Sequence, residues 1–143
     1  MIYLLDVNVL VALFDGRHPN HEAAHEWFGK TGVRGWASCP LTELGLVRVL
    51  SHPSYPSVRG TVSDVSQRLG HLRAQRGHHG WPCDVSLNDS KLFAPENIAG
   101  PGQLTDVYLV GLAAHHGGRL ATFDRRISPA AIRATNALTV LPA

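Results

Sequence analysis

Short apolar runs and amphipathic stripes take turns along this chain, and that alternation limits its fold more than any other feature. "IYLL" (2–5) is a continuous apolar run, followed at once by helical periodicity through Val9, Leu10 and Leu13. "PNHEAAHEWFGKTG" (19–32) has Pro near its start and Gly at its end, which frames a helix with Ala24, Trp27 and Phe28 on one side. "RGWAS" (34–38) reads as a strand and "PLTELGLVRVL" (40–50) as a helix halted before Pro53. Thr61 is placed to cap an arginine-bearing helix running to about Arg76, and "WPCDV" (81–85) reads as a third strand. "PENIAGPGQL" (95–104) is loop, "TDVYLVGLAAHHGG" (105–118) a capped helix closed by glycine, and "RLATF" (119–123) and "LTVL" (138–141) are strands. Strands that alternate with helices predict an α/β fold: a mostly parallel central sheet with helices on both faces. In such sheets ligands collect beyond the carboxyl ends of the strands.

At 143 residues the expectation is one domain spanning 1–143. A charged fraction of 17% and an apolar fraction of 44% exclude a disordered chain, and no apolar run approaches a membrane span. The apolar N-terminus lacks a preceding basic residue and is interrupted by Asp6 and Asn8, so it does not read as a signal peptide. Cys39 and Cys83, each beside a proline, read as reduced, buried fillers in a cytoplasmic protein. A net charge of +2 does not by itself announce a nucleic-acid binder. The basic residues are nonetheless almost all arginine, the better bidentate partner for phosphate.

Three helices begin with an acid placed in the same way. Asp6 leads Val9, Leu10 and Leu13; Glu43 leads Leu46, Val47 and Leu50; Asp106 leads Leu109, Val110 and Ala113. An acid at i with apolar residues at i+3, i+4 and i+7 lies on the core-facing side of the helix, where a surface acid does not belong. Asp124 follows "RLATF" as Asp6 follows "IYLL", so both leave the carboxyl end of a strand. Taken singly, the first three read equally well as first-turn acids or N-caps, and Asp124 as a turn residue. Repeated placement favours a shared site. Four carboxylates at one edge repel one another, and all-oxygen ligands select Mg²⁺ or Mn²⁺ as the remedy.

The chain closely resembles the PIN-domain ribonucleases, and among them the VapC toxins of bacterial type II toxin–antitoxin pairs. "MIYLLDVNVLVALF" is similar to the opening strand and helix of that family, with Asp6 as its first acid. "CPLTELGLVRVLSHP" resembles the segment of the second acid, Glu43, and "GPGQLTDVYLVGLAAHHGGRLATFDRRI" the stretch that supplies Asp106 and Asp124. The resemblance covers nearly the whole chain and implies a prokaryotic, cytoplasmic, Mg²⁺- or Mn²⁺-dependent endoribonuclease. It also implies a homodimer, silenced by a VapB-type antitoxin whose tail fills the active groove. On this reading Asp6 and Asp106 are the main metal ligands, Glu43 and Asp124 complete the shell, and hydrolysis of RNA leaves a 5′-phosphate and a 3′-hydroxyl.

Asn8 and Thr122 are candidates to orient the carboxylates, although a local backbone bond accounts for Asn8 equally and a strand-edge place is the better reading of Thr122. Arg48, Arg125 and Arg126 are candidates to grip RNA phosphates, with a solvated surface or an antitoxin contact as the plainer readings. Arg68, Arg73 and Arg76 read as a solvated helix face, and Trp36 and Trp81 as core.

"HEAAH" (21–25) offers a different chemistry, because His-Glu-x-x-His on a helix is a zinc-protease pattern. A zinc hydrolase built on His21, Glu22 and His25 needs a third protein ligand, and none follows at a recognisable spacing. "HPNHEAAHEWF" also resembles a family segment that carries no zinc. His115 and His116 read as C-terminal capping partners of their helix. The non-enzymatic alternative is a PIN-like module that binds RNA or a partner without cutting.

Overall fold

The computed structural model describes residues 1–56, 60–133 and 136–142. A five-stranded, all-parallel sheet forms its centre, in the order β3-β2-β1-β4-β5. The strands are β1 (Tyr3–Leu5), β2 (Trp36–Ser38), β3 (His78–Gly80), β4 (Arg119–Thr122) and β5 (Leu138–Val140). The helices are α1 (Val7–Phe14), α2 (His21–Lys30), α3 (Pro40–Ser51), α4 (Val62–Arg73) and α5 (Leu104–His115). The expected α/β architecture is therefore the observed one, and none of the described helices is long and apolar enough to cross a membrane.

Alternation along each strand sorts the core into two halves. Leu4, Ala37 and Leu120 pack with α5 and Phe93, while Leu5, Trp36 and Ala121 pack with α1, α3 and α4. Successive strand side chains point to opposite faces, so both faces must be covered.

The chain begins in the middle of the sheet at β1, builds outward through β2 and β3, then returns to lay β4 on the other side of β1. Between β1 and β4 the connections diverge, and that topological switch leaves a crevice at the carboxyl ends of the strands. Asp6 follows β1 there, and Thr122 ends β4.

Several local expectations need correction. The third strand is 78–80, not 81–85: His78, His79 and Gly80 pair with Trp36, Ala37 and Ser38. The Trp81 N–H adds one more bond to the Ser38 carbonyl at 2.9 Å, and Pro82, having no N–H, ends the ladder. Helix α5 starts at Leu104, so Thr105 does not cap it; Gly117, at φ 72°, supplies the left-handed turn that closes it. Thr61 does cap α4, in a reciprocal pair with Asp64. Cys39 is buried, as expected, but Cys83 is exposed. Trp36 and Trp81 are both core residues.

Candidate active site

Burial of Asp6 is the unusual feature of the crevice, because the side chain is charged yet only 4% exposed. It caps α1, its Oδ1 accepting from the Val7 N–H at 2.8 Å. Its second oxygen accepts from the Thr122 hydroxyl at 2.7 Å. Thr122 is fully buried and uses its whole hydrogen-bonding capacity here. Having given its one proton to Asp6, its Oγ1 accepts from Asn8 Nδ2 at 3.0 Å and from the Asp124 N–H at 3.0 Å. The Asn8 amide is oriented by the Phe123 N–H, which requires an acceptor and finds Asn8 Oδ1 at 3.1 Å. Asn8 and Thr122 thus join the end of β4 to the start of α1, which is more than a local turn or a strand edge.

Asp106, half-buried in the first turn of α5, faces the same place. Loss of solvent lifts its pKa from the ordinary 3.8 to about 6, and the charges of Asp6 and Asp124 push in the same direction. Burial likewise raises Asp6, with hydrogen bonds from Thr122 and Val7 opposing and the Asp124 charge adding to the rise. Asp124 is held low instead, chiefly by Arg126, whose Nε lies 3.1 Å from its Oδ1. Asp106, Asp124 and Arg126 share a small cleft with Gly102, Gln103 and Ile127.

Three of the four expected acids therefore act on one another electrostatically. Among the described residues no three of them bring carboxylate oxygens within 4.8 Å of one another. Glu43 is engaged elsewhere. Its Oε2 accepts from the Ser38 hydroxyl at 2.6 Å and faces Arg73 Nε at 3.4 Å, while His78 Nε2 lies 2.8 Å from the same hydroxyl. Arg73 is thus an ion-pair partner, not a bystander on a solvated face. Arg68 departs from that reading too, donating to the Phe14 carbonyl at 2.6 Å with its guanidinium over the Phe14 ring. Arg48 and Arg125 are exposed, and Arg126 reaches back to Asp124.

The histidines of "HEAAH" are occupied. A ring nitrogen of His21 contacts the Ala12 carbonyl at 2.7 Å and one of His25 the Leu13 carbonyl at 3.1 Å. These are last-turn carbonyls of α1 that have no partner within the helix, so the pair fastens α2 to the end of α1. No group of three ligand-type side chains among the described residues includes either histidine, and the zinc-hydrolase reading loses its basis.

A family model for the PIN domain matches residues 3–132. The chain belongs to the PIN-domain family. Within it, the chain is 45% identical over 129 residues to Ribonuclease VapC44 of Mycobacterium tuberculosis, covering 90% of each. Ribonuclease VapC39 of the same organism is 39% identical over 131 residues, 92% of this chain and 94% of that one. Among solved structures, VapC20 of M. tuberculosis, a sarcin-ricin loop cleaving toxin, superposes with a TM-score of 0.64 at 10% identity, covering 99% of this chain and 100% of that one. VapBC2 of Rickettsia felis, bound to a promoter DNA fragment, gives 0.57 at 15% identity with the same coverage. These two likenesses speak to the fold of this PIN domain.

The crowded carboxylates set a pH dependence for the metal-free protein. Between pH 4 and pH 6 the folded state holds a proton on Asp106 that the unfolded chain, titrating near 3.8, has released. Stability present at pH 4 is therefore expected to fall as pH rises through about 6. After allowance for solvent screening of a half-exposed group the loss is ~1 kcal/mol, or a melting temperature lower by roughly 3 °C. Thermal melts in EDTA from pH 4 to 7.5 read it directly, and Asp106→Asn should reduce the slope, leaving the part owed to buried Asp6.

Proposed function

We propose that this chain is a divalent-metal-dependent endoribonuclease, the toxin of a type II toxin–antitoxin pair, with Asp6, Asp106 and Asp124 at its centre. The observation that carries the proposal is the mutual electrostatic pressure of those three acids at the topological switch point, in a chain nearly half identical to named VapC ribonucleases. The donor set fits a hard cation: it is all carboxylate, and two of its members are held above their ordinary pKa by burial and by neighbouring negative charge. Asp6 and Asp106 would hold Mg²⁺ or Mn²⁺, with Asp124 beside them. Such an ion, when bound, supplies an acidified water and neutralises charge on the phosphate oxygens.

The remaining work falls to the chain itself. Thr122 fixes one Asp6 oxygen and the Val7 N–H the other, so this carboxylate meets its ligand with little freedom left to lose. Arg126, 86% exposed and tied to Asp124, can exchange that partner for a phosphodiester oxygen, and exposed Arg125 and Arg48 extend the cationic reach for RNA. Glu43 sits one strand over, with Arg73 as its counter-ion. To join the other acids it would have to leave both Arg73 and the Ser38 hydroxyl. Silencing by a VapB-type antitoxin and homodimerisation, both properties of the family, complete the proposal.

The test is purified protein with cellular RNA in Mg²⁺, Mn²⁺ or EDTA, followed by end-mapping. Cleavage with a metal, 5′-phosphate ends and silence in EDTA are expected; binding without turnover in any metal would make the chain a non-catalytic module. Thr122→Val, nearly isosteric, should reduce cleavage by roughly 10–100-fold, the usual scale for partners that orient metal ligands. Raising the metal concentration should restore part of the rate. A Thr122→Val protein that cuts at the wild-type rate in limiting Mg²⁺ would remove the hydroxyl from the mechanism.

A further inference from the structure

A second group of ligand-type side chains lies at the other end of α5. His115 and His116 close that helix, nine and ten positions beyond Asp106, which puts them roughly 14 Å along the axis from the carboxylates. Their imidazoles do not cap the helix as the sequence suggests. Both turn to Asp84, in the segment after β3: His116 Nε2 lies 2.9 Å from Oδ1 and His115 Nε2 3.6 Å from Oδ2. The donor atoms of the three residues lie within 4.8 Å of one another, the only such trio among the described residues.

Neighbours hold this arrangement in place. The His116 ring stacks on Trp81 with centroids 4.6 Å apart and planes at 15°. The Tyr108 hydroxyl, on the same helix, donates to the Val85 carbonyl at 2.9 Å, which pins the backbone next to Asp84 against α5. The side chains remain reachable from solvent, at 41% exposed for Asp84, 43% for His115 and 20% for His116.

We propose that Asp84, His115 and His116 form a transition-metal site, with Zn²⁺ as the fitting ion and one coordination position left to water. Two imidazoles and a carboxylate are the donors that Zn²⁺ accepts, whereas Mg²⁺ prefers oxygen alone. The site is separate from the carboxylate centre in both place and chemistry. An ion here ties residue 84 to residues 115 and 116, clasping the segment after β3 to the end of α5. It stabilises the folded chain because the unfolded chain does not hold the three donors together.

The experiment is calorimetric titration of the full chain with ZnCl₂ alone, alongside thermal melts, in an Asp106→Asn background that weakens any competing binding at the carboxylates. One equivalent of Zn²⁺ and a higher melting temperature are expected. Asp84→Asn, His115→Gln and His116→Gln should each weaken binding at least about tenfold, a scale on which even outer partners tune such sites. Circular dichroism confirms that each variant is folded, and the surface position of His115 makes its variant the safest. Zn²⁺ should also shift the imidazole resonances that disappear in His115→Gln and His116→Gln. Binding that survives all three substitutions, or is lost instead in His21→Gln or His25→Gln, overturns the assignment. RNA cleavage in Mg²⁺ by the three variants in an otherwise wild-type chain should stay at the wild-type rate. That keeps the outcome independent of the ribonuclease proposal.

Discussion

Asp106→Asn is expected to abolish RNA cleavage and, in the same protein, to raise the melting temperature measured in EDTA. The two effects have one cause. In the wild type, Asp106 is ionised at neutral pH against burial and against the charges of Asp6 and Asp124, which is why its pKa stands near 6. Removing the charge relieves that pressure by ~1 kcal/mol, or roughly 3 °C in a domain of this size. On the proposed mechanism it also removes an anionic ligand for a cation that would supply several kcal/mol of transition-state stabilisation, and at 1.36 kcal/mol per decade the rate should drop about a hundredfold or more. Initial rates on RNA with Mg²⁺ and melts with EDTA, on the same preparation, give both numbers. Glu22→Gln is the matched control, an exposed acid from "HEAAH" whose loss should change neither. A variant that cuts normally would take Asp106 out of the machinery. One that cuts poorly and also melts lower would mean that packing, and not charge crowding, governs the position.

The pattern that pointed to Asp106 was legible because helical spacing reports which face a residue lies on. Leu109, Val110 and Ala113 are all buried, so the acid one turn before them faces inward as read. The same logic held for Asp6, and strand-end placement held for Asp124. For Glu43 it gave the face but not the partner: Leu46 and Leu50 are buried beneath it, yet its carboxylate is taken by Ser38 and by Arg73, thirty positions further on. Spacing within a helix carries no information about which later element arrives beside it. Asp84 with His115 and His116 was hidden for that reason, since the two histidines sit at a helix end where capping is the ordinary reading. Strand β3 was hidden by composition. "HHG" has neither alternation nor branched side chains, and it pairs because it is an edge strand whose first ring packs on Trp36, with centroids 4.6 Å apart. The apolar "WPCDV" beside it looked more like a strand, but Pro82 has no N–H to give.

Phe93 is a core residue that the sequence hardly advertised, and its loss should be among the costliest single changes in the core. It lies in the long connection between β3 and α5, where turn residues dominate, yet it is fully buried. Its ring stacks on Tyr108 with centroids 6.1 Å apart, and its backbone bridges to Ile132. It also fills the notch left by Gly111, where an added Cβ would run into the ring. Phe93→Ala should therefore cost about 3–5 kcal/mol, a fall of roughly 10 °C or more in melting temperature. The notch supplies a sharper test. In the wild type, Gly111→Ala must push against the ring and should destabilise by about 1–3 kcal/mol. In the Phe93→Ala background the same substitution meets open space in the middle of a helix, where Ala is favoured over Gly by about 0.8–1 kcal/mol, so its sign should reverse. Denaturant melts of the four proteins complete the cycle. Costs that add to within about 0.5 kcal/mol would show that ring and glycine do not meet. Because α5 presents Asp106 at its first turn and Gly111 in its middle, the ring that seats this helix also sets the depth at which the carboxylate stands in the crevice. Cleavage by the Phe93→Ala protein, assayed well below its melting temperature, should accordingly fall by more than the folded fraction alone explains.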